Sequence, residues 1–181
     1  IGASSAILAV VTASIWIIRR YRDKPYGAIS HLIAHNRRVF FGMGTVLSVT
    51  GAVFYSFIAQ WLIPHYQLPR LLYVLLALAF VGQLFVAWVP LTESRAARIW
   101  NWHFVGGLIV CTAMLGLLWS FVAFAASDRY PALVGLLGAI LASTVFIPML
   151  LLIWRRHRGA ILAEVLYVGV FFTTILILSW L

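Results

Sequence analysis

The residues able to do chemistry in this chain are few and cluster by position. His31, His35, His103 and His157 fall in polar gaps between long apolar runs, His65 falls in another gap, and Glu164 lies about one turn into the last run. The spacing His31-x-x-x-His35 stacks two imidazoles on one helix face, a geometry that chelates zinc. His103 or Glu164 would complete three protein ligands and leave a position for water, the arrangement of a metal-dependent hydrolase. The zincin motif needs Glu directly after its first His, and Leu32 stands there. His35 and His103 lie near the starts of two runs and form the pair a bis-histidine haem would take, one from each of two facing helices. Both sit at or beyond the run ends, and His65 has no counterpart on its side. Ser30, His103 and Glu164 have the residue types of a Ser-His-acid hydrolase, but no G-x-S-x-G elbow surrounds Ser30. Each feature also has a plainer meaning. Histidines at a membrane interface are commonly solvated, and Glu164 can pair with Arg158 or Arg98 or reach interfacial water.

The elements that would position these residues are read from composition. The 181 residues are 64% hydrophobic and 9% charged, with a mean hydropathy of +1.04. A soluble domain carries about 25% charged residues, so the solvent for most of these side chains is lipid or another helix. Six runs, at about 3–18, 39–63, 71–89, 104–126, 132–154 and 160–181, predict an all-α, six-helix transmembrane bundle forming a single domain over 1–181. Backbone in lipid must satisfy its own hydrogen bonds, and the alternation of barrel strands is absent. The run 3–18 falls short of the roughly 20 residues a spanning helix needs, which implies further N-terminal sequence. The lone Cys111 excludes an intrachain disulfide and reads as a packing residue.

Charge orients the bundle. The net charge of +9 comes from short clusters. Arg19, Arg20, Arg22, Lys24, Arg37 and Arg38 fill the first gap, Arg95 and Arg98 the third, and Arg155, Arg156 and Arg158 the fifth; Arg70 and Arg129 stand alone in the second and fourth. This asymmetry places gaps one, three and five in the cytoplasm and excludes nucleic acid as the reason for the charge. Trp16, Trp61, Trp88, Trp100, Trp102, Trp154 and Trp180 lie near run ends, as interfacial rings do, and Trp119 lies deeper. Pro148 falls inside the fifth run, where it predicts a kink. Gly44, Ser48 and Ala52, and likewise Gly135, Ala139 and Ser143, form small-residue stripes that suit close helix packing within the bundle, or contact with a second copy or a partner subunit. Gln83, Thr45, Ser48, Thr50, Thr112 and Thr144 are the polar residues at mid-depth. With no charge among them, coupled ion transport is not expected.

Several short motifs carry a resemblance. The first gap reads Lys24-Pro25-Tyr26-Gly27-Ala28-Ile29-Ser30-His31-Leu32 and leads to Phe40-Phe41-Gly42; Val89-Pro90 precedes a polar segment and His103; Ala163-Glu164-Val165 opens the last run. Together these resemble the FRAG/DRAM/SFK family of six-helix membrane proteins and its prokaryotic relatives. That resemblance implies a part in lipid-anchor remodelling, lysosomal membranes or phosphoinositide-kinase recruitment, as for the eukaryotic members, and it marks Ser30, His103 and Glu164. The chain departs from the pattern in carrying His31 where an acidic residue often follows the Ile-Ser pair. The family loop is also expected on the non-cytoplasmic side, opposite to the charge-based orientation.

The sequence is read foremost as an integral membrane protein without a clear catalytic signature, interacting with lipids or serving as an accessory subunit of a larger membrane complex. Its partners would be membrane lipids, with anionic headgroups at the basic face, and partner subunits or a second copy. One alternative is a membrane-embedded lipid-processing enzyme using cytoplasmic-side His and Glu. The other is a haem- or pigment-associated subunit of an electron-transfer complex. The simplest expectation is that no cofactor is bound.

Overall fold

A computed structural model of the chain describes residues 2–20, 36–90, 101–126, 128–155 and 159–181, without the side chains of 2, 3, 152–155 and 159–161. Six helices form, and no strand occurs among the described residues: α1 (Gly2–Arg20), α2 (Arg37–His65), α3 (Leu71–Trp88), α4 (Trp102–Phe124), α5 (Arg129–Arg155) and α6 (Gly159–Leu178). The stretches Arg37–His65, Leu71–Trp88, Trp102–Phe124 and Arg129–Leu151 are long and apolar enough to cross a membrane; in α6 the apolar stretch Leu162–Leu178 is shorter. The protein is a helical membrane protein. Leu71, Val74, Leu78 and Val81 of α3, and Leu133, Leu137, Ile140 and Leu141 of α5, are exposed. That apolar outer surface would be unstable in water and is the natural face toward lipid tails.

Local chemistry moves several helix boundaries from the sequence expectation. α2 begins two residues early because Asn36 caps it, its Oδ1 accepting from the backbone N–H of Arg38 (3.0 Å) and Val39 (3.3 Å). α4 likewise begins at Trp102 because Asn101 Oδ1 accepts from His103 N–H at 2.9 Å. α1 is 19 residues long, since Arg19 and Arg20 continue the helix. At 1.5 Å per residue it spans roughly 28 Å, close to the hydrocarbon thickness, and long Arg stems can carry their charges back to the headgroups. Pro148 sits inside the continuous α5.

α2 contains a feature the sequence pattern does not announce. Ile58–Leu62 is a π-helical turn, in which Ile63 N–H bonds to Ile58 O, five residues back. Pro64 follows directly. A proline ring crowds the carbonyl four residues earlier, and the wider turn gives it room, so the helix continues to His65. The helix then closes by a Schellman arrangement. Gln67 takes a left-handed φ of 51°, Gln67 N–H bonds to Pro64 O (3.1 Å) and Leu68 N–H to Ile63 O (2.9 Å). The Tyr66 hydroxyl donates to Leu178 O at 2.8 Å, latching this end of α2 to the end of α6. Burial, helped by the Asp128 carboxylate, pushes the Tyr66 phenol up.

Consecutive helices pack side by side, and α6 also meets α1. The pairs are antiparallel. Gly44 near the start of α2 lies against Ala87 and Trp88 at the end of α3, while Tyr73 near the start of α3 donates to Ala59 O late in α2. Phe85 stacks on Trp102 across α3 and α4, and Gly135 of α5 meets Phe121 of α4. The core runs through Phe54, Ile58 and Leu62 of α2, Leu72, Leu76 and Ala79 of α3, Leu117, Leu118 and Phe121 of α4, Ala139 and Ala142 of α5, and Tyr167, Phe171, Ile175 and Leu178 of α6. Phe54 meets Phe171 and Phe172 edge-on, joining α2 to α6. Ile17 and Met43 form a separate small cluster between α1 and α2.

The small-residue stripes act within the bundle, with one correction. Gly44 and Ser48 face α3, where Trp88 Nε1 donates to Ser48 Oγ at 2.8 Å, but Ala52 is exposed and Gly51 takes the third position against Gln83. Four-residue spacing overshoots the 3.6-residue turn, so the third small residue drifts off the face and the position seven beyond Gly44 holds it. In α5, Gly135 and Ala139 are buried, and Ser143 accepts from Trp119 Nε1 at 3.1 Å. This bond gives the deeper tryptophan its polar partner.

Candidate functional site

Antiparallel packing gathers the ends that matter. The C-terminal ends of α1, α3 and α5 and the N-terminal ends of α2, α4 and α6 share one side of the bundle. Arg19, Arg20, Arg37, Arg38 and Arg155 occupy those helix ends, and so do His103 and Glu164. Arg37 lies over the Phe41 ring, 5.6 Å from its centre.

The clearest polar construction is where α3 hands over to α4. The last carbonyls of a helix lack intrahelical partners, and Pro90 has no N–H to contribute. Val89 is extended and ends α3. The His103 ring reaches it, with Nδ1 2.7 Å from Val89 O. The buried Asn101 uses both ends of its amide, Oδ1 on His103 N–H and Nδ2 toward Pro90 O at 3.4 Å. The side chains that open α4 therefore close α3, and the Val89-Pro90 pair and His103 singled out in the sequence come together.

A second polar cluster lies deeper. The Tyr55 hydroxyl of α2 donates to Gln83 Oε1 of α3 at 2.8 Å, and Gln83 Nε2 donates to Leu47 O at 2.6 Å. The Tyr167 hydroxyl of α6 donates to Cys111 O of α4 at 2.6 Å. Glu164, half-buried and one turn from Tyr167 on α6, lies within electrostatic reach of Cys111. Elsewhere at mid-depth the hydroxyls of Thr45, Thr50, Ser143, Thr144 and Thr174 bond to carbonyls of their own helices, so they line no polar path.

Ser30, His31, His35 and His157 lie outside the described residues, as do Arg98 and Arg158, the expected partners of Glu164. The zinc set of His31, His35 and His103, the haem pair His35 and His103, and the Ser30–His103–Glu164 triad thus each have a member there. Among the described residues no group of three or more His, Cys, Asp or Glu is placed to hold a metal. Tyr55 and Tyr167 escaped sequence reading. Each belongs to an aromatic-rich apolar run, and only the interhelical register reveals that its hydroxyl is used. The available signal was Gln83, a buried-depth amide that requires a partner.

Replacing Gln83 tests that cluster. Gln83→Leu leaves the Tyr55 hydroxyl buried without an acceptor, and is expected to cost about 1–2 kcal/mol of stability in detergent or bilayer. Adding Tyr55→Phe should recover part of that loss, because removing both partners costs less than stranding one. Thermal unfolding of the single and double variants checks this; a double variant less stable than Gln83→Leu would overturn it.

The chain is similar to two curated glycerol-3-phosphate acyltransferases. It is 28% identical over 182 aligned positions to that of Burkholderia orbicola (strain MC0-3), covering 87% of this chain and 82% of the relative. It is 28% identical, again over 87% of this chain and 80% of the relative, to that of Burkholderia cenocepacia (strain HI2424). No family model matches the chain. No solved structure matches it either.

Proposed function

We propose that this chain is a membrane-embedded lipid-processing enzyme, with acyl transfer onto a glycerol phosphate as the first reaction to test. The likeness to glycerol-3-phosphate acyltransferases across 87% of the chain is the observation that carries this reading. The bundle supports it by presenting His103 and Glu164 on the side where the basic helix ends collect. His103 is the candidate base and Glu164 a second titratable group; Ser30 joins them through the FRAG/DRAM/SFK resemblance. The basic end faces the cytoplasm on the charge asymmetry, and attracts anionic headgroups at roughly 1 kcal/mol per nearby basic residue. A direct assay tests the reading. Purified protein in proteoliposomes with labelled glycerol 3-phosphate and activated acyl donors of the thioester and acyl-phosphate classes should yield labelled acyl-glycerol phosphate. No product above protein-free vesicles with either donor class would overturn the reading.

A second reading, a lipid-interacting protein or accessory subunit without chemistry of its own, is favoured by one observation. The His103 ring bonds to Val89 O and the Asn101 amide to Pro90 O, so both side chains tie the start of α4 to the end of α3. Mild-detergent co-purification of a stable partner subunit, with no turnover in the assay, is the result this reading expects.

A further inference from the structure

We infer that His103 is held as the Nδ1–H tautomer, with Asn101 as its positioning residue, so that Nε2 offers a lone pair to a hydroxyl-bearing lipid headgroup. The tautomer follows from proton accounting. A carbonyl oxygen has no proton to give, so at 2.7 Å from Val89 O the ring Nδ1 must carry the hydrogen and donate it. In the neutral imidazole Nε2 then holds the lone pair. Among the described residues Nε2 has no hydrogen-bond partner, whereas the other ring nitrogen is fully engaged.

The surroundings hold the ring in this pose. Asn101 is 8% exposed, and its Oδ1 caps His103 N–H while Nδ2 points to Pro90 O, one residue beyond the carbonyl the imidazole uses. Asn101 O also accepts from Val105 N–H at 3.1 Å, fixing the first turn of α4. His103 is half-buried at that first turn, at one end of a stretch long and apolar enough to cross a membrane and on the side of the basic helix ends. An oriented, unprotonated ring nitrogen there suits an O–H donor from a polyol headgroup. The headgroup half of this inference rests on the lipid-processing reading; the tautomer does not.

Nitrogen-15 spectroscopy of histidine-labelled protein in bilayers separates the two. At about pH 9, well above the ordinary imidazole pKa of about 6.5, the His103 signals, assigned by their loss in His103→Asn, should show a protonated Nδ1 and an unprotonated Nε2. Adding phosphatidylglycerol to phosphatidylcholine vesicles should shift the Nε2 resonance toward hydrogen-bonded values. Phosphatidylmethanol, anionic but with neither a hydroxyl nor an ammonium in its headgroup, should not. Asn101→Ala should mix the tautomers, and Asn101→Ser, which keeps a cap, should restore the wild-type pattern. A predominant Nε2–H tautomer overturns the inference. Nδ1–H with an Nε2 signal indifferent to phosphatidylglycerol overturns its headgroup half. The expected shift in a protein inactive in acyl transfer sinks the proposed reaction and leaves the binding site standing.

Discussion

Gly106→Ala should destabilise the bundle sharply, while Gly107→Ala, one residue on, should be neutral or mildly stabilising. A Cβ at Gly106 would lie 2.5 Å from Phe85 Cβ, 2.6 Å from Gly82 O and 3.3 Å from Val86 N. Two of these three obstacles are backbone, so no rotamer change relieves them; α3 and α4 would have to part. Overpacking of this kind costs about 1–3 kcal/mol and occasionally more. At roughly 2–4 °C per kcal/mol for a chain of this size, a loss near 3 kcal/mol lowers the unfolding temperature by about 6–12 °C. At Gly107 the nearest atom to a new Cβ is a Val86 methyl carbon at 3.9 Å, an ordinary contact, and the helix gains up to about 1 kcal/mol from replacing glycine. Paired melting curves in one detergent check both. Equal losses at the two positions would mean that α3 and α4 do not meet along this line.

That contrast shows what the sequence could and could not disclose. The apolar runs and basic gaps were legible because the bilayer imposes length and charge on any chain that crosses it. Gly106 and Gly107 are indistinguishable in sequence; only the azimuth of α4 against α3 separates them. The stripe of Gly44, Ser48 and Ala52 was legible as small residues, yet the helical turn puts Gly51, not Ala52, on the face. The π turn at Ile58–Leu62 left no mark in the pattern, since it depends on how Pro64 is accommodated rather than on residue type. At the candidate site, Val89-Pro90 and His103 were visible as landmarks. Their hydrogen bond was not, because it needs a carbonyl freed by one helix end to meet a ring carried by the next. Asn101 caps α4 and so moves its start back to Trp102.

The largest effect on activity is expected at His103, and the choice of substitution decides what it means. An asparagine amide nitrogen sits on Cγ, as Nδ1 does, so His103→Asn can still donate to Val89 O while nothing replaces Nε2. If the imidazole serves as a base, His103→Asn should keep most of the unfolding temperature and lose about 10²-fold or more in turnover, the usual contribution of a positioned proton acceptor. His103→Ala should lose both, since Val89 O then gives up its donor and the joint between α3 and α4 loosens, at about 1 kcal/mol. A purely structural histidine gives the opposite pattern. His103→Asn would then retain turnover along with stability, and His103→Ala would lose turnover only in proportion to folded protein. Glu164→Gln adds an independent check. It keeps the shape and one acceptor oxygen, turns the other into an amide donor and removes the charge, so a loss of turnover at unchanged unfolding temperature would assign the carboxylate to the chemistry. Full turnover in both His103→Asn and Glu164→Gln would remove this end of the bundle as the active site.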